Sequence, residues 1–107
     1  MAGAVRTRSA ERLWVRLHFT APGNTAERAA LVDAIKDAFD VPDDVQMYLV
    51  RHHWLNVNPV PAVADEVLGW LAENLPGNVI AVYAMNPAAA ASPALAALSD
   101  HVAGSRR

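Results

Sequence analysis

The stretch that most constrains this chain is VPDDVQMYLVRHHW, residues 41–54. Its two possible foldings lead to different architectures. As a strand, it sets Val45, Met47 and Leu49 on one side and Gln46 and Tyr48 on the other, in residue types that suit a pleated sheet. As a helix, it opens on Pro42 with Asp43 and Asp44 and closes on Arg51, His52 and His53 near the last-turn carbonyls. Each such end charge contributes about 0.3–1 kcal/mol when exposed. Val45, Tyr48, Leu49 and His52 then share one face. The residues alone leave both foldings open.

The same ambiguity recurs twice. ERLWVRLHF, residues 11–19, alternates Leu13, Val15, Leu17 and Phe19 with Arg12, Trp14, Arg16 and His18. Strict alternation favours a strand, although Leu13, Trp14 and Leu17 also fit one helix face. NVIAVYAMNP, residues 78–87, reads as an alternating strand or as a short helix capped by Asn78 and ended before Pro87.

Three other segments are plainly helical. NTAERAALVDAIKDAF has Asn24 or Thr25 as cap, Glu27 at capping spacing from Asn24, and an apolar face of Leu31, Val32, Ile35, Ala38 and Phe39. PAVADEVLGWLAENL begins on Pro61 and carries Val63, Val67, Trp70 and Leu71 on one stripe. SPALAALSDHV has Ser92 as cap, Pro93 at the first helical position, and Leu95, Leu98 and Val102 as its stripe. APGN, LNVNPVP and PGN are breaks between these elements. A helix followed by a β-rich segment occurs at 25–50 and again at 62–85. If those segments are strands, the fold is a small ferredoxin-like α/β domain; if helices, a bundle of about five.

A chain of 107 residues is one domain by length. Residues 1–10 read as a flexible lead-in, 11–103 as the globule and 104–107 as a tail. The formal net charge of -2 offers none of the clustered basic residues that nucleic-acid binding needs, so no nucleic-acid partner is expected. There is no cysteine, which excludes disulfide and thiolate chemistry. No apolar run approaches the roughly 20 residues that span a bilayer, and the start has no apolar signal region. A cytoplasmic protein with no membrane partner is expected.

Catalytic and metal patterns are weak. His52 and His53 are neighbours, so their rings diverge on a helix, and no Glu or Cys completes a metal set. The serines read as cap or tail residues, and the two Pro-Gly-Asn turns are not phosphate loops. No catalytic, cofactor or metal residue is assigned, and no enzyme activity is expected. Trp70 reads as core. Trp14 and Trp54 stand beside basic residues, a pairing enriched at binding hot spots.

Taken in order, AERAALVDAIKDAF, then DD before VQMYLV, then VADEVLGWLAE, then NP and SPALAAL resemble the effector-associated domains of bacterial conflict systems, a group of small death-like helical adaptors. The matching positions are Ala38–Phe39, Asp43–Asp44, Trp70 with Glu73, Asn86–Pro87 and Pro93 with Leu95. They span residues 25–98. ERLWVRLHF has no counterpart in that pattern, and AAAA separates Asn86–Pro87 from Ser92–Pro93 more widely. The resemblance implies an all-α death-like bundle of about five helices, with an N-terminal strand or helix added, and it tips residues 41–54 to helix. It further implies a non-enzymatic adaptor of bacterial immunity that clusters effector proteins by homotypic contacts, with itself or a protein carrying a similar domain.

On this reading the core is Leu31, Val32, Ile35, Phe39, Leu49, Val67, Leu71 and Leu98. Partner contacts fall to Arg51, His52, His53 and Trp54. Two other functions fit the residues. One is a small ferredoxin-like or tautomerase-like enzyme, although such tautomerases use an N-terminal proline and position 2 here is Ala2. The other is a phage or immunity protein that blocks a host target through the Trp14/Arg16/His18 face.

Overall fold

The computed structural model describes residues 11–20, 25–51 and 53–105. The lead-in 1–10, the break and Asn24 cap at 21–24, His52 and residues 106–107 lie outside the described residues. The elements run β1 (Val15–Phe19), α1 (Thr25–Ala38), a 3-10 turn (Pro42–Asp44), β2 (Val45–Val50), β3 (Trp54–Pro59), α2 (Pro61–Asn74), β4 (Val79–Ala84), the one-turn α3 (Pro87–Ala90) and α4 (Pro93–Ser105).

The strands form one sheet in the order β2-β3-β1-β4, and every neighbouring pair is antiparallel. Through β4 this is the β-α-β-β-α-β arrangement of ferredoxin-like domains, extended by α3 and α4. The all-α bundle is therefore not the fold; the α/β alternative is.

The reason lies in residues 41–54. Pro42, Asp43 and Asp44 do start a helical turn, in which the Asp44 N–H donates to the Val41 carbonyl at 3.0 Å. It stops after one turn because the chain has a better use for its backbone. Val45–Val50 pairs residue for residue with Trp54–Pro59, from Val45↔Pro59 to Val50↔Trp54. The Val60 N–H closes the far end by donating to the Asp44 carbonyl at 2.8 Å. End charges worth a few tenths of a kcal/mol each do not compete with a full ladder that also buries Val45 and seats Met47 on the core. Arg51, expected in a last helical turn, instead bends the chain between β2 and β3 at φ 51°.

Alternation then sorts the two faces of the sheet. Val15, Leu17 and Phe19 of β1 and Leu55 and Val57 of β3 point inward and are fully buried. The helices cover this face. Leu31 and Ile35 come from α1, Ala64, Val67, Leu68 and Leu71 from α2, and Leu95, Leu98 and Val102 from α4. α4 packs against both α2 and β4. Val32, Phe39 and Trp70 lie partly buried against this core, and the Trp70 ring meets Phe39 edge-on at 6.2 Å. Leu49 is not core. It lies at the turn end of an edge strand and is 51% exposed.

Helix starts follow the sequence. Pro61 opens α2, and the Ser92 hydroxyl of α4 accepts from the Leu95 N–H at 3.1 Å. Asn86 does more than cap. Its Oδ1 accepts from the N–H groups of Ala89 and Trp14, each at 3.0 Å, and its Nδ2 donates to the Arg12 carbonyl at 2.9 Å. One side chain thus ties the start of α3 to the segment that leads into β1.

Candidate functional site

The second face of the sheet carries the chemistry. Residues opposite one another in register project to the same side, so two rows of four can be read across the strands. The first is Tyr48, Asn56, Arg16 and Tyr83; the second is Val50, Trp54, His18 and Ala81. Trp14 precedes β1 with the same parity as Arg16 and His18, and Met85 follows β4 with the parity of Tyr83. The Met85 N–H donates to the Trp14 carbonyl at 2.8 Å, which continues the β1–β4 pairing.

Large apolar side chains are left open to solvent here. Trp14 is 52% exposed, Tyr48 50%, Tyr83 46% and Met85 43%. Single exposed apolar residues are ordinary; these four share one face of the sheet, with Asn56 and Arg16 between Tyr48 and Tyr83.

Arg16 stands at the centre of the two middle strands. Its Nε donates to Asn56 Oδ1 at 2.8 Å, and its Cζ lies 4.4 Å from the centroid of the Trp54 ring. The ring quadrupole attracts the cation. His18 stands beside them. Its ring centroid is 6.3 Å from Trp54, in an edge-to-face arrangement, and 6.4 Å from Tyr83. The Trp54 Nε1–H is buried and finds no acceptor among the described residues.

The strands themselves carry no acid. All eleven acidic residues lie outside the four strands, on the helices, the 3-10 turn and the connections. The strands carry one permanent charge, Arg16.

Of the four residues expected to bind a partner, three lie among the described residues. Arg51 is exposed in the β2–β3 turn, and His52 lies outside the described residues. His53 is half-buried, with its ring 6.3 Å from His18. Trp54 joins Arg16 and His18, residues that the alternation of ERLWVRLHF had already set on one face. Asn56, Tyr48, Tyr83 and Met85 complete the surface and were not singled out. The signal for Tyr48 and Tyr83 was the period-two pattern at 45–50 and 79–85, which only a strand assignment turns into a face.

A concavity of about 470 Å³ runs between α1 and the edge strand β2. Val32, Ile35, Phe39, Val45 and Met47 line it, with Lys36 and Asp40 as its charged residues. It is a mostly apolar groove with no catalytic grouping. Among the described residues no three His, Asp or Glu side chains gather where a metal ion could sit, and no helix is long and apolar enough to cross a membrane. Comparison of the chain with protein families, with curated proteins and with solved structures returns no match.

Proposed function

We propose that this chain is a non-enzymatic protein-binding domain and that the open face of its sheet is the docking surface. The observation that carries the reading is the composition of that face. Interface cores are enriched in aromatic residues, Met and Arg and depleted in Lys, Glu and Asp. Hot spots draw on Trp, Tyr and Arg. The face offers Trp14, Trp54, Tyr48, Tyr83, Met85 and Arg16, and no Lys, Glu or Asp. The reading keeps the face of the second alternative raised by the sequence, a phage or immunity protein that blocks a host target through Trp14, Arg16 and His18, and enlarges it by Trp54 and the two tyrosines.

The test compares partners recovered by the full chain with those recovered by two variants. Trp14→Ala with Tyr83→Ala strips the sheet face at exposed positions. Asp65→Arg with Glu66→Arg alters the helical side at exposed positions of α2. Quantitative mass spectrometry should show a partner lost from the first variant and kept by the second. The opposite pattern would remove the sheet face from consideration.

A further inference from the structure

We infer that the occupant of the open face is an acidic segment of a different protein, one carboxylate of which enters the fork of Arg16. The inference rests on the protein-binding reading above and names the chemistry of the partner. It starts from how Arg16 is held. The bond from Nε to Asn56 Oδ1 and the stacking on Trp54 fix the guanidinium. Among the described residues, no hydrogen bond is made by its two terminal nitrogens and no carboxylate pairs with it. A guanidinium bonded inward through one nitrogen and open through two is arranged for a planar, two-oxygen anion.

The strands do not supply that anion, because none of the eleven acids lies on one. This argues against a second copy as occupant. In a two-fold pair each surface meets itself, so two open faces brought together would set Arg16 near Arg16 with no acid between them. It also argues against single-stranded nucleic acid. Bases would find rings on which to stack, but such grooves track the backbone with several cations. The four strands carry one arginine and no lysine. A single Asp or Glu needs only the one fork, and the exposed rings of Trp14, Tyr48 and Tyr83 accept its apolar neighbours.

The experiment is a selection from a displayed library of random dodecapeptides on the full chain, run in parallel on Arg16→Gln. The unaltered chain should enrich peptides with Asp or Glu at one position beside aromatic or aliphatic residues. A synthetic peptide from that pool should bind about 10- to 100-fold more weakly to Arg16→Gln, the usual worth of a hydrogen bond to a charged group. It should lose as much when its acid becomes the amide. Arg16→Lys keeps the charge but not the fork and should recover only a minor part. An unchanged thermal midpoint in these variants shows that they are folded.

Peptides without an acid that bind Arg16→Gln normally but fail on Trp14→Ala overturn the carboxylate and leave the docking face standing. Peptides indifferent to every substitution on the face, or an empty selection, overturn both. Two control probes decide the competing occupants. A dimer in sedimentation that dissociates on Arg16→Glu, or a 12-nucleotide oligo(dT) whose binding is lost on Arg16→Gln, overturns the acidic partner.

Discussion

Arg51→Gly tests the fold at the point where sequence and structure part. Arg51 sits at φ 51°, in the left-handed region, within the three residues that join Val50 to Trp54. For an L-residue with a Cβ this conformation costs roughly 1–2 kcal/mol. Glycine removes that cost but loses roughly 0.5–1 kcal/mol through the greater freedom of the unfolded chain. The difference is a stabilisation of about 0.5–1 kcal/mol. For a domain of about 100 residues that raises the melting temperature by roughly 2–8 °C.

A helical residues 41–54 would give the opposite sign. There Arg51 lies in the last turn, where a cation is favourable, and Gly costs about 1 kcal/mol relative to Ala. Thermal and urea unfolding of Arg51→Gly, Arg51→Asn and Arg51→Ala therefore suffice. The hairpin predicts Gly above Asn, and Asn above Ala, since Asn tolerates the left-handed region better than other side chains. If Gly lowers stability by about 1 kcal/mol while Ala leaves it unchanged, the turn assigned here is wrong.

Three further outcomes follow from the packing. Leu17→Ala, at a fully buried position of a central strand, should cost about 3–5 kcal/mol in urea unfolding, whereas Leu49→Ala, half in solvent, should cost under about 1 kcal/mol; equal losses would contradict the faces assigned to β1 and β2. Asn86→Ala removes a cap and two long-range bonds and should lose about 1–3 kcal/mol, with Asn86→Asp recovering part of it because both acceptor bonds survive; hydrogen exchange at the Trp14 and Ala89 amides reports this directly. Arg28 is 4% exposed, its Nε is buried with no partner among the described residues, and one terminal nitrogen donates to the Trp54 carbonyl at 3.0 Å, so Arg28→Met should be neutral or stabilising by up to about 2 kcal/mol in the same assay, and a loss beyond about 2 kcal/mol would show that the bond to Trp54 matters more than burial of the charge.

How much of the fold was legible follows from which forces are local. Helices announce themselves through a repeat and through their ends, both contained in one stretch of chain. The stripes Leu31/Ile35, Val67/Leu71 and Leu95/Leu98 are buried as their spacing required. The strand at 15–19 was legible because polar and apolar residues alternate there without a break. At residues 45–50 the alternation is weaker: Tyr48 and Val50 fall on the open face and are nearly as apolar as Met47 and Leu49 on the other. What makes this segment a strand is Trp54–Pro59, and LNVNP looks like a connector when read by itself. Its asparagines are cross-strand partners. Asn56 lies opposite both Tyr48 and Arg16, and Asn58 lies opposite Gln46.

The likeness to helical adaptors has the same origin. Ala38–Phe39 closes α1, Asp43–Asp44 sits in the 3-10 turn, Trp70 and Glu73 lie in the last turns of α2, Asn86–Pro87 opens α3, and Pro93 opens α4. These are starts and stops. Any domain whose helices fall in that order needs caps, breakers and an apolar stripe at similar places, whether the segments between them are helices or strands. An ordered set of caps and breakers marks where elements begin and end and says little about whether a helix or a strand follows, as Asp43–Asp44 before β2 shows.

The site was half legible for a related reason. A face built on one strand can be read from that strand, and Trp14, Arg16 and His18 were. A face built across four strands depends on register, which belongs to pairs of segments, and the pairs of β1 with β3 and with β4 lie about 36 to 69 residues apart. Arg16 meets Asn56 and Tyr83 only because β1 lies between β3 and β4. The distribution of charge is the exception, since it needs no register. Once the strand segments are named, the absence of acid from all four can be seen in the sequence itself. That absence gives the open face a direction as well as a composition. A partner with carboxylates would be drawn toward Arg16 on the strands and turned away from the acids of the helices, so charge would favour one docking orientation before any ring is buried.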